Sequence, residues 1–413
     1  MIKQSKNSLI PILGVLSAIG PFSIDMYLPG FPNIASNLGS TVAHVSLSLS
    51  SFFIGISAGQ LLYGPLLDRY GRKKPLYVGL IVYFIASVGC SMARSVEALI
   101  WLRLLQALGG CVGMVASRAM VRDLFDVKDN ARVFSLLMLV VGISPIIAPT
   151  LGGYLTASFG WRAVFIALTV MSVGILAAVH FVLKETRAPD PGYSLQPKPI
   201  INSFANVMKE PQFSTYMFTG SFASAGLYAY IAGSPFVFME LYHVTERQYG
   251  WIFALVAMGL IGSSQLNSVL LKTYKSEQII RVALLCQSLT GMLLFLGVWL
   301  NWLELFSTIF FVFIFLCCQG FVFPNSSALS LAPFSRNAGS ASALMGGIQM
   351  AIGACTSALV SFLNNHTALP MSGVMACCAM TSYTVLSLGR RYILYRASLK
   401  AVEEQSAEMI STT

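Results

Sequence analysis

Apolar residues occupy this chain in long runs, and polar residues collect in the short gaps between them. Twelve runs are long enough to cross a bilayer, which takes about 20 apolar residues in a helix. They cover 8–29, 44–66, 75–93, 97–121, 132–157, 161–183, 213–239, 247–271, 277–299, 302–327, 338–364 and 368–389. The gap at 184–212 is the one long polar stretch, and it carries Pro189, Pro191, Pro197 and Pro199. It divides the runs six and six. The pattern predicts an all-α membrane protein: twelve transmembrane helices in two pseudo-symmetric six-helix bundles, 1–183 and 213–390. A cytoplasmic linker at 184–212 joins them, and a cytoplasmic tail at 391–413 follows. The first run follows Lys3 and Lys6, as a signal peptide would. It outlasts the usual apolar core of a signal, and no A-x-A-like site closes it, so it reads as a retained helix.

Composition narrows the class. Only 10% of the 413 residues are charged, against about 25% in soluble domains. The hydrophobic fraction is 56% and mean hydropathy is +0.72. Sixteen acids and 26 bases cannot cover the surface of a soluble protein this long. A soluble enzyme, a disordered chain and a secreted disulfide scaffold are excluded. The eight cysteines all fall inside apolar runs, without metal-ligand spacing, so neither a disulfide nor a metal site is expected, and no cofactor.

The net charge of +10 would suit a nucleic-acid binder, but its placement says otherwise. With the N-terminus inside, 22 of the 26 bases fall in the inner segments, three (Arg94, Arg162 and Arg247) outside, and Arg103 within a span. That asymmetry puts both termini in the cytoplasm of a multi-pass inner-membrane protein. The expected partners are lipid, protons and a small substrate, with no nucleic acid and a monomeric chain.

Ionisable groups within spans are costly and mark function by default. Asp25 lies toward the outer end of the first span, and Arg103 about two turns into the fourth from outside. Their similar depth suggests an ion pair. A carboxyl group beside a guanidinium in a low-dielectric interior can exchange a proton for a substrate. Gln106, three residues from Arg103, shares its helix face and can bond a ligand or Asp25. The alternative is a buried pair that only fixes packing. Four histidines at span ends (His44, His180, His243) or in an outer loop (His366) read as interfacial. Aromatic residues Tyr27, Tyr228, Tyr230, Phe236 and Phe321 could wall an apolar cavity.

Three segments carry a family resemblance. Gly64-Pro65-Leu66-Leu67-Asp68-Arg69-Tyr70-Gly71-Arg72-Lys73-Lys74 follows the second span. It resembles motif A of the major facilitator superfamily, G-x-L-x-D-R-x-G-R-[KR]. Arg103-Leu104-Leu105-Gln106-Ala107 is similar to motif B, with Ala107 where that motif has glycine. Ser144-Pro145-Ile146-Ile147-Ala148-Pro149-Thr150-Leu151-Gly152-Gly153 is similar to the antiporter motif C, with Ser144 and Ala148 replacing two glycines. Asp25-Met26-Tyr27-Leu28-Pro29, Ala232-Gly233-Ser234-Pro235 and Ala338-Gly339-Ser340-Ala341 resemble the bicyclomycin-resistance subfamily of drug:proton antiporters.

The resemblance implies proton-coupled efflux of small drug-like molecules by alternating access. It implies proton coupling at Asp25 and Arg103. A substrate cavity would be lined by Asp25, Tyr27, Arg103, Gln106, Tyr228 and Phe236. A conformational latch would form from Gly64, Asp68, Arg69, Gly71, Arg72 and Asp123, holding the outward-open form by bridging spans two and eleven on the inside. Close packing would rest on Ser144, Pro145, Pro149, Gly152 and Gly153. The second half has no clear copy of motif A; Lys272-Thr273-Tyr274-Lys275 stands there. Two other functions would suit parts of the same reading. A proton-coupled exporter or symporter of an endogenous metabolite would share the Asp–Arg pair. An intramembrane enzyme would need a convergent set such as H-E-x-x-H, and none is found.

Overall fold

The computed structural model describes residues 9–125, 127–190, 192, 197–334 and 338–411. Lys3, Lys6 and Arg336 of the charge pattern lie outside the described residues. The helices are α1 (Ile10–Asp25), α2 (Phe31–Asn37), α3 (Val42–Tyr70), α4 (Lys73–Ser91), α5 (Val96–Leu124), α6 (Val127–Phe159) and α7 (Arg162–Phe181). They continue as α8 (Pro197–Met208), α9 (Pro211–Pro235), α10 (Glu246–Leu270), α11 (Ser276–Trp299), α12 (Leu305–Leu331), α13 (Ala338–Phe362) and α14 (Leu369–Ser411). Among the described residues, twelve candidate spans are long and apolar enough to cross a membrane. Each corresponds to one of the runs read from the sequence.

Local chemistry sets the boundaries. Thr41 caps α3 by accepting from the His44 amide, Ser95 caps α5, and Thr245 with Gln248 forms a capping box on α10. Gly71 takes φ +81°, a left-handed conformation glycine adopts without strain, and so turns α3 into α4. Two differences from the sequence reading matter. The first span is broken: α1 stops at Asp25, a 3-10 turn covers Leu28–Gly30, and α2 resumes. The polar linker contains a helix the sequence reading did not give it, α8, whose Phe204, Val207 and Met208 pack against α9 and α13 side chains.

The two bundles pack alike. In the first, α1 meets α5 and α6, α3 meets α5, and α4 meets α5 and α7. In the second, α9 meets α12 and α13, α10 meets α12, and α11 meets α12 and α14. Each pairing has its counterpart six spans later. The bundles touch along α3–α13 and α6–α10, which are themselves symmetry-related. Val78, Trp101, Val170, Val282 and Phe306 are exposed around the outside. Such an apolar belt suits contact with lipid chains.

The α3–α13 seam is made of hydroxyls and small groups. Ser46, Ser50 and Ser57 lie on one face of α3 at helical spacing. Ser46 bonds Ser361, Ser50 donates to Ser357 (2.8 Å), and Ser57 donates to the Gly347 carbonyl (2.8 Å). One turn further, the Gln60 amide fills the space beside Gly346.

Candidate functional site

Asp25 is the last residue of α1 and is 5% exposed. It interacts electrostatically with Tyr228 and Tyr230 of α9 and Tyr249 of α10, all from the opposite bundle. No ion pair joins Asp25 to Arg103 among the described residues, and this corrects the pairing expected from depth alone. The physical reason is direction. The Arg103 side chain turns into its own bundle, while Asp25 looks across the interface.

Arg103 is fully buried and sits in a closed polar ring. Its Nη2 donates to the Ser23 carbonyl (2.9 Å) and its Nη1 to Gln106 Oε1 (2.6 Å). Gln106 Nε2 donates to Ser87 Oγ (2.7 Å) and Ser87 to the Tyr83 carbonyl (2.7 Å); Tyr83 Oη donates to Ser23 Oγ (2.7 Å), whose own hydrogen goes to the Ile19 carbonyl. The guanidinium lies over the rings of Phe52 (4.0 Å) and Tyr27 (4.6 Å). Tyr27 also bonds Ser48 and packs on Phe31 and Phe165. Tyr27, Arg103 and Gln106 are thus held inside the first bundle rather than in a cavity between bundles. Sequence reading missed Ser23, Tyr83 and Ser87, because serines at helical spacing look like packing.

Arg103→Lys tests this ring. A lysine keeps the charge but lacks the planar fork that serves Ser23 and Gln106 together. We expect the loss of about 3 kcal/mol, seen as a fall of about 5 °C in detergent unfolding temperature. Unchanged unfolding would mean the ring does not brace the bundle.

The aromatic residues do not gather in one place. Tyr228 packs on Phe53 of α3 across the interface (4.8 Å between ring centroids), and its hydroxyl meets Met350 Sδ. Phe236 stands near His366 at the end of the bundles that carries Trp161. Phe321 belongs to the interior of the second bundle.

Motif C lies on α6 where it meets α1 and α10. A Cβ at Gly152 would overlap the Met26 carbonyl, and one at Gly153 the Glu246 carbonyl. The Pro149 carbonyl in turn abuts Gly250. Pro145 and Pro149 both lie within α6, and Ser144 donates to the Val141 carbonyl. These contacts close the Trp161 end.

The other end carries the motif A charges. Arg72 Nε donates to Asp123 Oδ2 (2.7 Å) and Nη1 to Asp68 Oδ1 (2.9 Å). Burial works against the Arg72 charge, but hydrogen bonds to Asp123 and Asp68 outweigh it and hold the group protonated above its ordinary range. Glu185 accepts from the backbone amides of Arg72 (2.6 Å) and Lys73 (3.0 Å), and lies against Gly71. Arg187 reaches Asp68 (3.2 Å) and Thr186 reaches Asp123 (3.0 Å). In this structure the same charges are tied to the start of the linker through Glu185, Thr186 and Arg187. Glu185 and Arg187 were legible only as loop charge. Arg69 lies at the end of α3 beside this network, and Gly64 lines a cavity of about 740 Å³ that opens here between the bundles.

Twelve spans in two matched bundles, closed at one end and open to a cavity at the other, define a membrane transporter. A model described as the Major Facilitator Superfamily matches residues 13–390, and this chain belongs to that family. The bicyclomycin resistance protein homolog of Haemophilus influenzae is 32% identical over 405 residues, covering 97% of this chain and 100% of that protein. The multidrug resistance protein MdtL of Escherichia coli O9:H4 (strain HS) is 30% identical, covering 89% and 91%. The crystal structure of a D-xylose-proton symporter superposes with a TM-score of 0.75 at 11% identity, covering 92% and 97%. It shares the fold.

Proposed function

We propose that this protein exports small drug-like molecules across a bacterial inner membrane in exchange for protons. The supporting observation is the Asp25 carboxyl at the break of the first span, buried between the bundles with tyrosines of the other bundle around it. The names of the relatives, bicyclomycin resistance and multidrug resistance, supply the substrate class. The positive-inside pattern puts the Arg72 end and both termini in the cytoplasm. In this conformation the cytoplasmic side is open to the cavity and the outer side is closed. Drug enters from within. The bundles rock about the α3–α13 and α6–α10 seams, and a proton reaching Asp25 from outside releases the drug.

Export and metabolite uptake are separated by one measurement. An uncoupler should raise drug accumulation in cells that express the exporter; a proton-driven importer would accumulate less. The motif A network supplies the cytoplasmic brace. Arg72→Ala leaves Asp68 and Asp123 without their shared partner, at a cost of about 2 kcal/mol for these partly exposed groups. The expected outcome is slower exchange and a shifted balance between the two facing states, read by spin-label distances across the Arg72 end. Unchanged turnover and unchanged distances would remove the brace from the mechanism.

A further inference from the structure

The cavity at the Arg72 end holds more positive charge than its carboxylates can answer. Its wall includes Arg72, Arg118, Arg122 and Arg187 against Asp68 and Asp123. The two acids are engaged by Arg72, and Asp68 also by Arg187. Arg118 and Arg122 form no ion pair among the described residues, and they interact with each other as like charges. Arg118 lies six residues inside the end of α5, where the sequence reading had counted it among the loop bases. Arg118 is half-buried and Arg122 exposed, one helical turn apart, so the pair sets a positive field at this wall that favours an anion.

The opposite wall is suited to such an anion. It is the first turn of α13, with Gly339, Ser340 and Ser342 lining the cavity. Arg122 Nη1 comes within 4.0 Å of where a Cβ on Gly339 would stand. A helix N-terminus favours negative charge. Ser203 of α8 completes the rim. We propose that this vestibule binds a phosphate-type oxyanion, held by Arg118 and Arg122 from one bundle and by the start of α13 from the other. The excess of two positive charges suits a singly or doubly charged anion, and forked guanidiniums with the hydroxyls of Ser340 and Ser342 offer enough donors for the several oxygens of a phosphate group. The group comes either from an anionic phospholipid headgroup or from a phosphate free in solution. Because the site spans both bundles, its occupant stabilises the conformation in which α5 and α13 are this close.

The test uses the full-length protein in detergent and in nanodiscs. Inorganic phosphate is titrated against chloride at equal ionic strength, by calorimetry. Retention of phosphatidylglycerol against phosphatidylcholine is followed by native mass spectrometry. We expect at least one probe to bind the wild type, and the double variant Arg118→Gln with Arg122→Gln to weaken it about tenfold or more. Arg281→Gln, which removes a charge outside the vestibule, should leave it unchanged. Ser340→Asp, which keeps both arginines and supplies a carboxylate, should weaken it as well and guards against misfolding of the double variant. Retention of phosphatidylglycerol alone identifies the headgroup as the source; a phosphate isotherm alone identifies the soluble ion. Equal binding by wild type and both vestibule variants, or no binding of either probe to the wild type, overturns the proposal.

Discussion

Asp25→Asn should abolish proton-driven drug exchange in proteoliposomes while leaving the protein folded. The substitution keeps the shape of the side chain and removes its titration. The Asp25 carboxyl makes no side-chain hydrogen bond or ion pair among the described residues, so an amide there disturbs no partner. What disappears is the means of drawing on the gradient. One proton crossing 100 mV supplies about 2.3 kcal/mol, enough for roughly fiftyfold accumulation against a gradient. Asp25→Asn liposomes should lose that accumulation, and drug should move only down its own gradient. In a pump-deficient host the same variant should lose the resistance that the wild type confers. Drug accumulation that still follows an imposed pH gradient would move the coupling away from Asp25. The outcome also bears on Arg103. With no Asp25–Arg103 pair, the carboxyl must release its proton without a guanidinium beside it. The groups it acts on electrostatically are Tyr228 and Tyr230 of α9 and Tyr249 of α10.

Gly250→Val should drive the Trp161 end open. A Cβ at Gly250 would stand 2.8 Å from the Pro149 carbonyl oxygen, on the α6–α10 seam between bundles. Backbone meets backbone there, so no side chain can swing aside. Overpacking of this kind costs about 1–3 kcal/mol, which shifts the balance away from the closed form by about fivefold to somewhat over a hundredfold. Spin labels at Phe159 and Asn365, on opposite bundles at that end, should report longer distances than in the wild type. Turnover should fall in proportion, because each cycle must pass through the closed form. Unchanged distances would show that α6 and α10 can yield without parting the bundles.

Much of this molecule is legible in its sequence, and the rest has a common cause. Span number, the six-and-six division and the closeness of Asp68, Arg72 and Asp123 follow from runs, charges and a motif. Run length and motif spacing are one-dimensional signals. The direction of a side chain around its helix is not. Asp25 and Arg103 share a depth but point into different spaces. Tyr27, close to Asp25 in sequence, sits in the bundle interior because the chain leaves the helix between them. The tie from Glu185 and Arg187 to the motif A turn joins residues more than a hundred positions apart, and no local pattern announces it.

The seam of serines between α3 and α13 has a consequence for how cheaply the molecule changes shape. Interlocked leucines would have to be torn from one another and exposed to water, at a penalty that scales with area. Hydroxyls exchange one hydrogen-bond partner for another, so when the bundles separate, water takes up the places of Ser357, Ser361 and the Gly347 carbonyl. Parting there is close to isoenergetic, and the seam behaves as a wettable bearing. A driving force of a few kcal/mol is then left for moving cargo rather than for prising the halves apart.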